Sequence, residues 1–233
     1  MAVPAFIAAG ALAVGNSANP TCAYPATVNA DDIALLLCMN DGGFNVNTWP
    51  TGFTKITGKN QGGTNAQNLE VAFKRCNGSE DSASITPAWG NGSTRYAQLF
   101  TFSGCISSGD PFDGAVSSGD GNTVSNAAHP ALTTSGVDEL GVHLYSGYKG
   151  TGTGNCTSTP DATWTERADN TLNGTSVNTM FVCETKDLTS AGTTPAVNSS
   201  MAFNRGYVSL TLALMSGVAY SSIPKNLFFG DIA

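Results

Sequence analysis

The segment RGYVSLTLAL, residues 205–214, alternates in side-chain character without a break. In an extended chain successive side chains point to opposite faces. Val208, Leu210, Leu212 and Leu214 then share a core face, while Tyr207, Ser209, Thr211 and Ala213 share the other. A helix would spread these residues around its circumference. In RYAQLFTFSG, Tyr96, Gln98, Phe100 and Phe102 are likewise opposed to Ala97, Leu99 and Thr101. No helical period is sustained anywhere, and the apolar runs are short, β-branched or alternating, closed by Gly, Asn, Asp and Pro. Strands are expected at 4–14, 32–39, 53–58, 68–76, 95–103, 140–146, 164–167, 177–184 and 205–214, with turn signals such as NDGG, CNGSED and SSGDGN between them. The expected fold is all-β, a two-sheet antiparallel sandwich, jelly-roll-like, over residues 1–215, followed by an apolar tail at 216–233.

With 233 residues the chain can bury a core without help from disulfides or metal. Charged residues make up only 12%, so neutral Gly, Ser, Thr and Asn must cover the surface. The formal charge of −7 and the lack of any Lys/Arg cluster leave no footprint for a phosphate backbone, and no nucleic-acid partner is expected. The opening MAVPAFIAAGALAVGNSA is apolar, but no Lys or Arg precedes Lys55, and Pro4 and Gly10 interrupt it. It reads as a first strand rather than a leader. No run reaches the roughly eighteen apolar residues of a membrane span, so a soluble protein without a membrane partner is expected.

The six cysteines, Cys22, Cys38, Cys76, Cys105, Cys156 and Cys183, form no CxxC pair and have no His at ligand spacing. Mostly free thiols and no cofactor are expected. If one bridge forms, Cys22 and Cys156 are better placed than the strand cysteines.

TWPTGFTKI, residues 48–56, concentrates Trp49, Pro50, Gly52 and Phe53 before a strand. It can be an aromatic ligand platform or the corner of a sheet, and its second occurrence favours the corner. DATWTERAD matches it in the second half, DDIALLLCMND matches DELGVHLYSG, QNLEVAFKRC matches VNTMFVCETK, and SITPAWGNGSTRYAQLFTF matches GTTPAVNSSMAFNRGYVSLTL. These matches suggest an internal duplication with about four strands per half, eight in all, the number in a jelly roll.

The order of the landmarks AVPAFIAAG, DIALL, WPTGFTKI, YAQLFTFSGC, GDPFDG, DELGVHLY, WTERAD and GYVSLTLAL resembles a group of structural proteins of tailed bacteriophages and prophages. The resemblance covers roughly residues 2–214. It implies a β-sandwich or jelly-roll domain in a virion, as a head decoration or fibre protein or a tail-associated adhesin. The particle would be assembled in the host cytoplasm, with the protein on its surface beside major capsid or tail proteins. The motifs are strand and corner signals, so no site residues carry over.

The residues give few routes to catalysis. The only histidines are His129, before Pro130, and His143, among apolar neighbours; no GxSxG elbow occurs, and both read as structural. Most acidic residues sit at turn signals, and although Glu70 and Glu166 could face a groove, nothing in the sequence pairs them for glycoside hydrolysis. No enzyme is expected. Asp110, Asp113 and Asp120, with Asn122, are the residues that could hold calcium through oxygen ligands, although the EF-hand pattern is missing. Trp49, Trp89 and Trp164 are the rings available for stacking on a sugar.

In the tail, Ile223, Leu227, Phe228 and Phe229 form an apolar group that can fold back or dock on a neighbouring subunit or capsid protein. Self-association, with a trimer as the first expectation, suits a shell accessory.

Overall fold

The computed structural model describes residues 2–63, 66–91, 94–149, 157–173 and 178–217. The described residues contain no helix, and therefore none long and apolar enough to cross a membrane. The first half contains β1 (Ala5–Ala9), β2 (Ala13–Asn16), β3 (Cys22–Ala23), β4 (Ala30–Asp41), β5 (Val46–Thr48), β6 (Thr54–Gln61), β7 (Gln67–Asn77), β8 (Ser84–Ile85), β9 (Ala88–Trp89) and β10 (Thr94–Ser103). The second contains β11 (Ser117–His129), β12 (Leu132–Thr134), β13 (Glu139–Lys149), β14 (Ser158–Thr159), β15 (Thr165–Asn173), β16 (Asn178–Leu188), β17 (Gly192–Thr194) and β18 (Val197–Leu214). The docking candidates Ile223, Leu227, Phe228 and Phe229 lie outside the described residues, as does Cys156.

Two six-stranded sheets carry the fold. One runs β1-β10-β4-β7-β6, with β2 also paired to β10; the other runs β11-β18-β13-β16-β15, with β14 also paired to β18. If the five path strands of each half are numbered in chain order, both sheets read first, fifth, second, fourth, third. The third strand carries a bulge at the same place in each: pairing skips Ile56 between Lys55 and Thr57, and Arg167 between Glu166 and Ala168. A turn precedes that strand in both halves, closed by Phe53 N–H to the Pro50 carbonyl (3.0 Å) and Trp164 N–H to the Asp161 carbonyl (2.9 Å). The matched stretches are therefore PTGFT and DATWT. This corrects the correspondence expected from sequence, since Trp164 is the counterpart of Phe53 and not of Trp49.

The expected sandwich is present, with ten path strands in place of eight and each half kept within one sheet. Strand β11 was not expected. Its sequence, SSGDGNTVSNAAH, has no apolar alternation, and Gly and Asp gave it the look of a turn. Alternation elsewhere predicts the facing residues. Leu35, Leu37, Met39, Phe100 and Phe102 of one sheet meet Val142, Leu144, Phe181, Leu210 and Leu212 of the other in the main core. At the margins β6 lies against β11, where Lys59 Nζ is 2.9 Å from Asp120 Oδ1, and β1 lies against β15. The third strand of each half thus meets the first strand of the other, as in a two-fold arrangement.

The outer faces of both sheets are buried as well. On the first, Ala34, Leu36, Cys38, Ala72, Ala97 and Leu99 lie beneath Tyr24, Val28, Val46, Phe53 and Trp89. The cover comes from loops and from the short pairs β3-β8 and β5-β9. On the second, the β11–β18 ladder runs beyond the part of β18 that pairs with β13, and two register shifts around Val124 bend it back over the sheet. Ser209 Oγ donates to the Ala128 carbonyl at 2.6 Å, which marks the contact. Gly119 is required here, because a Cβ at that position would lie 2.9 Å from the Ala128 oxygen. Cys22, Cys38, Cys76, Cys105 and Cys183 are free and buried, and Cys22 sits in β3 rather than in a loop. Burial pushes the Cys22, Cys76 and Cys105 thiols up to about 12, far from a reactive thiolate.

Candidate functional site

The folded-back ladder brings the two histidines together. His129, at the end of β11, stacks on His143 of β13 with ring centroids 4.0 Å apart and planes 10° apart; Trp164 stacks on the other side of His143 at 3.4 Å and 19°. A Cβ on Gly141 would lie 2.9 Å from the Trp164 ring, so this glycine makes room for the stack. Beside the rings, Glu184 of β16 accepts hydrogen bonds from Tyr145 Oη (2.7 Å), Ser199 Oγ (2.8 and 3.0 Å) and His143 Nδ1 (3.3 Å). Tyr145 also meets Ser158, whose backbone N–H donates to Asp169. His129, Glu184 and Ser199 have no exposed surface.

The proton positions follow from these bonds. Ser199 has one hydroxyl proton and gives it to Glu184, so His129 Nε2–H donates to Ser199 Oγ at 3.0 Å. His129 Nδ1 is then a bare lone pair, buried and without a hydrogen-bond partner. Burial drives His129 down to about 3, assisted by His143 and opposed by Glu184 and Asp161. Burial also drives His143 down to about 3, with Asp161 opposing and Lys186 assisting. The native pair is neutral. Burial together with Glu184 raises Tyr145, which is the donor in its bond to that carboxylate.

This geometry limits the chemistry. His129 Nε2, His143 Nδ1 and a Glu184 oxygen lie within 4.8 Å of one another, close enough to suggest a metal site. Imidazole binds a metal in its ring plane, however, and two rings stacked 4.0 Å apart have no common in-plane point near both nitrogens. The residues fit a hydrogen-bonded network rather than an ion. A Ser–His–acid relay fails for another reason: the acid bonds to the serine while His129 Nδ1 has no acid to orient it.

The residues singled out in the sequence do not assemble into a site. Asp120 lies in β11 against Lys59, and so not in a calcium loop. Asp110 caps the Phe112 N–H. Asp113 accepts from Ser135 N (2.5 Å), Ser135 Oγ and Gly136 N. Partial desolvation opposes them, but these donors hold Asp113 below the usual carboxylate range, whereas burial and the neighbouring Asp113 push Glu139 up to about 7. Donor hydrogens converging on a carboxylate are the reverse of a cation cage. Glu70 and Glu166 belong to different sheets, and Glu70 is buried with Lys55 and the Val46 N–H. Trp89 and Trp164 are 6% and 5% exposed, so their faces are closed to an outside sugar. Trp49 packs half-buried at the rim of the first outer cluster.

Comparison with protein-family models, curated proteins and solved structures finds no match.

The sequence reading missed Glu184, Tyr145 and Ser199 as partners of the histidines. A local signal existed in the strand GVHLYS, where His143 and Tyr145 have one residue between them and so share a face.

Proposed function

We propose that this chain is a non-enzymatic structural component of a tailed-bacteriophage particle, a head decoration or fibre protein that self-associates on the particle surface. The observation that carries the reading is the closure of the sandwich. The first outer face is roofed by loops and short strands and the second by the bent β11–β18 ladder, and the clustered histidines and carboxylate are sealed from solvent. Such a body offers rigidity and surface rather than a reaction chamber. The low charge agrees with it, because a surface of neutral hydroxyl and amide groups packs against neighbours without large desolvation costs. The resemblance of the landmark order to phage structural proteins is the support for the particle; its partners would be capsid or tail proteins and further copies of itself.

The test is the copy number and position of the chain in purified particles, by quantitative mass spectrometry and cryo-electron microscopy. A fixed stoichiometry on DNA-filled heads or fibres is expected. Absence from washed particles overturns the proposal. Saturable glycan binding lost in Trp49→Ala would instead make the chain a tail-associated adhesin.

A further inference from the structure

The most informative feature of the polar cluster is that it occupies positions the first half fills with Leu36, Ala72 and Leu99. Leu36 of β4 pairs with Ala72 of β7 and Leu99 of β10, and the equivalent β13 residue, His143, pairs with Glu184 of β16 and Thr211 of β18. The first half closes its outer face with aliphatic side chains at these positions. The second places a histidine, a carboxylate and a hydroxyl there, then lays the bent end of β11–β18 over them, carrying His129 and Ser199.

We propose that this folded-back end of the β11–β18 ladder is an acid-sensitive latch, held closed while His129 and His143 are neutral and released when His129 gains a proton. A proton added to His129 must go to Nδ1, which has no acceptor, and the resulting cation must sit stacked on the His143 ring, with Tyr145 in T-shaped contact beside it. The charged and titratable groups around the pair are few. Glu184 of β16 is committed to Tyr145, Ser199 and His143; Asp161, before β15, favours the cations, and Lys186 of β16 opposes them. Asp169 of β15 is held through Ser158 N–H and is acted on by Arg205 of β18, and Glu166 of β15 lies opposite Glu184 and is raised by burial, Asp169 and Glu184. None of these hydrogen-bonds Nδ1. Relief comes through water, which enters only if the ladder end lifts. The sign follows from the depressed proton affinity: the latch is firm above the ordinary histidine range near 6.5 and weakens as pH falls toward 3.

The experiment is hydrogen–deuterium exchange on the full chain between pH 7.5 and 4.5, corrected for intrinsic exchange rates. Peptides covering 124–129 and 197–201 report the latch, and those covering 34–38 and 96–100 report the first outer face. The expected result is a reversible loss of protection, on the order of tenfold or more, confined to the latch peptides. Unchanged protection, or equal loss in both halves, overturns the proposal. His129→Leu should abolish the acid response or move it to lower pH, and an unmoved response overturns it. If that variant does not fold, imidazole NMR of the wild-type protein decides: a His129 that titrates near 6.5 in the native fold refutes the latch, and one that stays neutral until the ladder signals shift supports it.

Discussion

At the centre of the first sheet's outer face, Leu36 sits between Ala72 and Leu99, in the cluster that includes Phe53. At the same place in the second sheet, His143 sits between Glu184 and Thr211 beneath Trp164. Strand order, bulge and entry turn are alike, so backbone topology cannot account for the difference. The first solution is stabilised by removing apolar surface from water and tolerates imprecise geometry. The second depends on the donors gathered around Glu184, so losing that shared acceptor costs more than the individual bonds were worth. Polar closure puts a histidine and a carboxylate where the first half has Leu36 and Ala72, and so ties these central positions to their state of protonation.

The largest expected effect comes from breaking the polar solution at its hub. Glu184→Ala leaves Tyr145, Ser199 and His143 without their shared acceptor and should cost about 3–5 kcal/mol in urea unfolding. Transplanting the first half's residues as His143→Leu, Glu184→Ala and Thr211→Leu together should recover part of that loss, because it removes the His143 donor and the orphan Thr211 hydroxyl while Tyr145 and Ser199 still lack their acceptor. A triple variant less stable than the single one would show that the halves are not equivalent at these positions.

Trp164→Ala should cost about 3–5 kcal/mol, as for other buried aromatics, while Trp49→Ala at the rim should cost distinctly less. Equal melting temperatures for the two variants would instead favour Trp49, rather than Phe53, as the energetic counterpart of Trp164.

The pH response sharpens the comparison further, because both histidines belong to the second half. Each is pushed down to about 3, so its contribution is complete above about 6.5 and is lost as pH falls; at pH 5 the loss is about 2 kcal/mol per histidine. Glu139 acts in the opposite sense. Its pKa is raised to about 7, so its contribution is complete below the ordinary Glu range and is lost as pH rises through 7. Unfolding free energies of Glu139→Gln at pH 7 and 5 remove this opposing contribution from the profile. A flat profile would contradict their burial as neutral groups.

The smallest effect concerns Thr211, whose buried Oγ1 has no partner. Thr211→Val keeps the shape and removes the orphan, and should raise stability by about 1 kcal/mol in thermal unfolding.

Much of the architecture was legible because alternation is a backbone property. Val208, Leu210, Leu212 and Leu214 face the main core as their spacing requires, and the matched segments of the two halves do form matching strands. Side-chain period could not reveal β11, since Ser117–His129 has no apolar face of its own and is held by its ladder to β18. Nor could local signals match Trp164 to Phe53, because Trp49 is the more conspicuous ring and only the turn hydrogen bonds fix the alignment. Sequence by itself determined an all-β chain with two similar halves, through a period of two that any extended backbone imposes. Tertiary structure alone decided that His129 would meet His143, because their contact depends on a bent ladder folding over a sheet. Long-range closure of that kind is set by the register of distant strands, and no short stretch of residues records it.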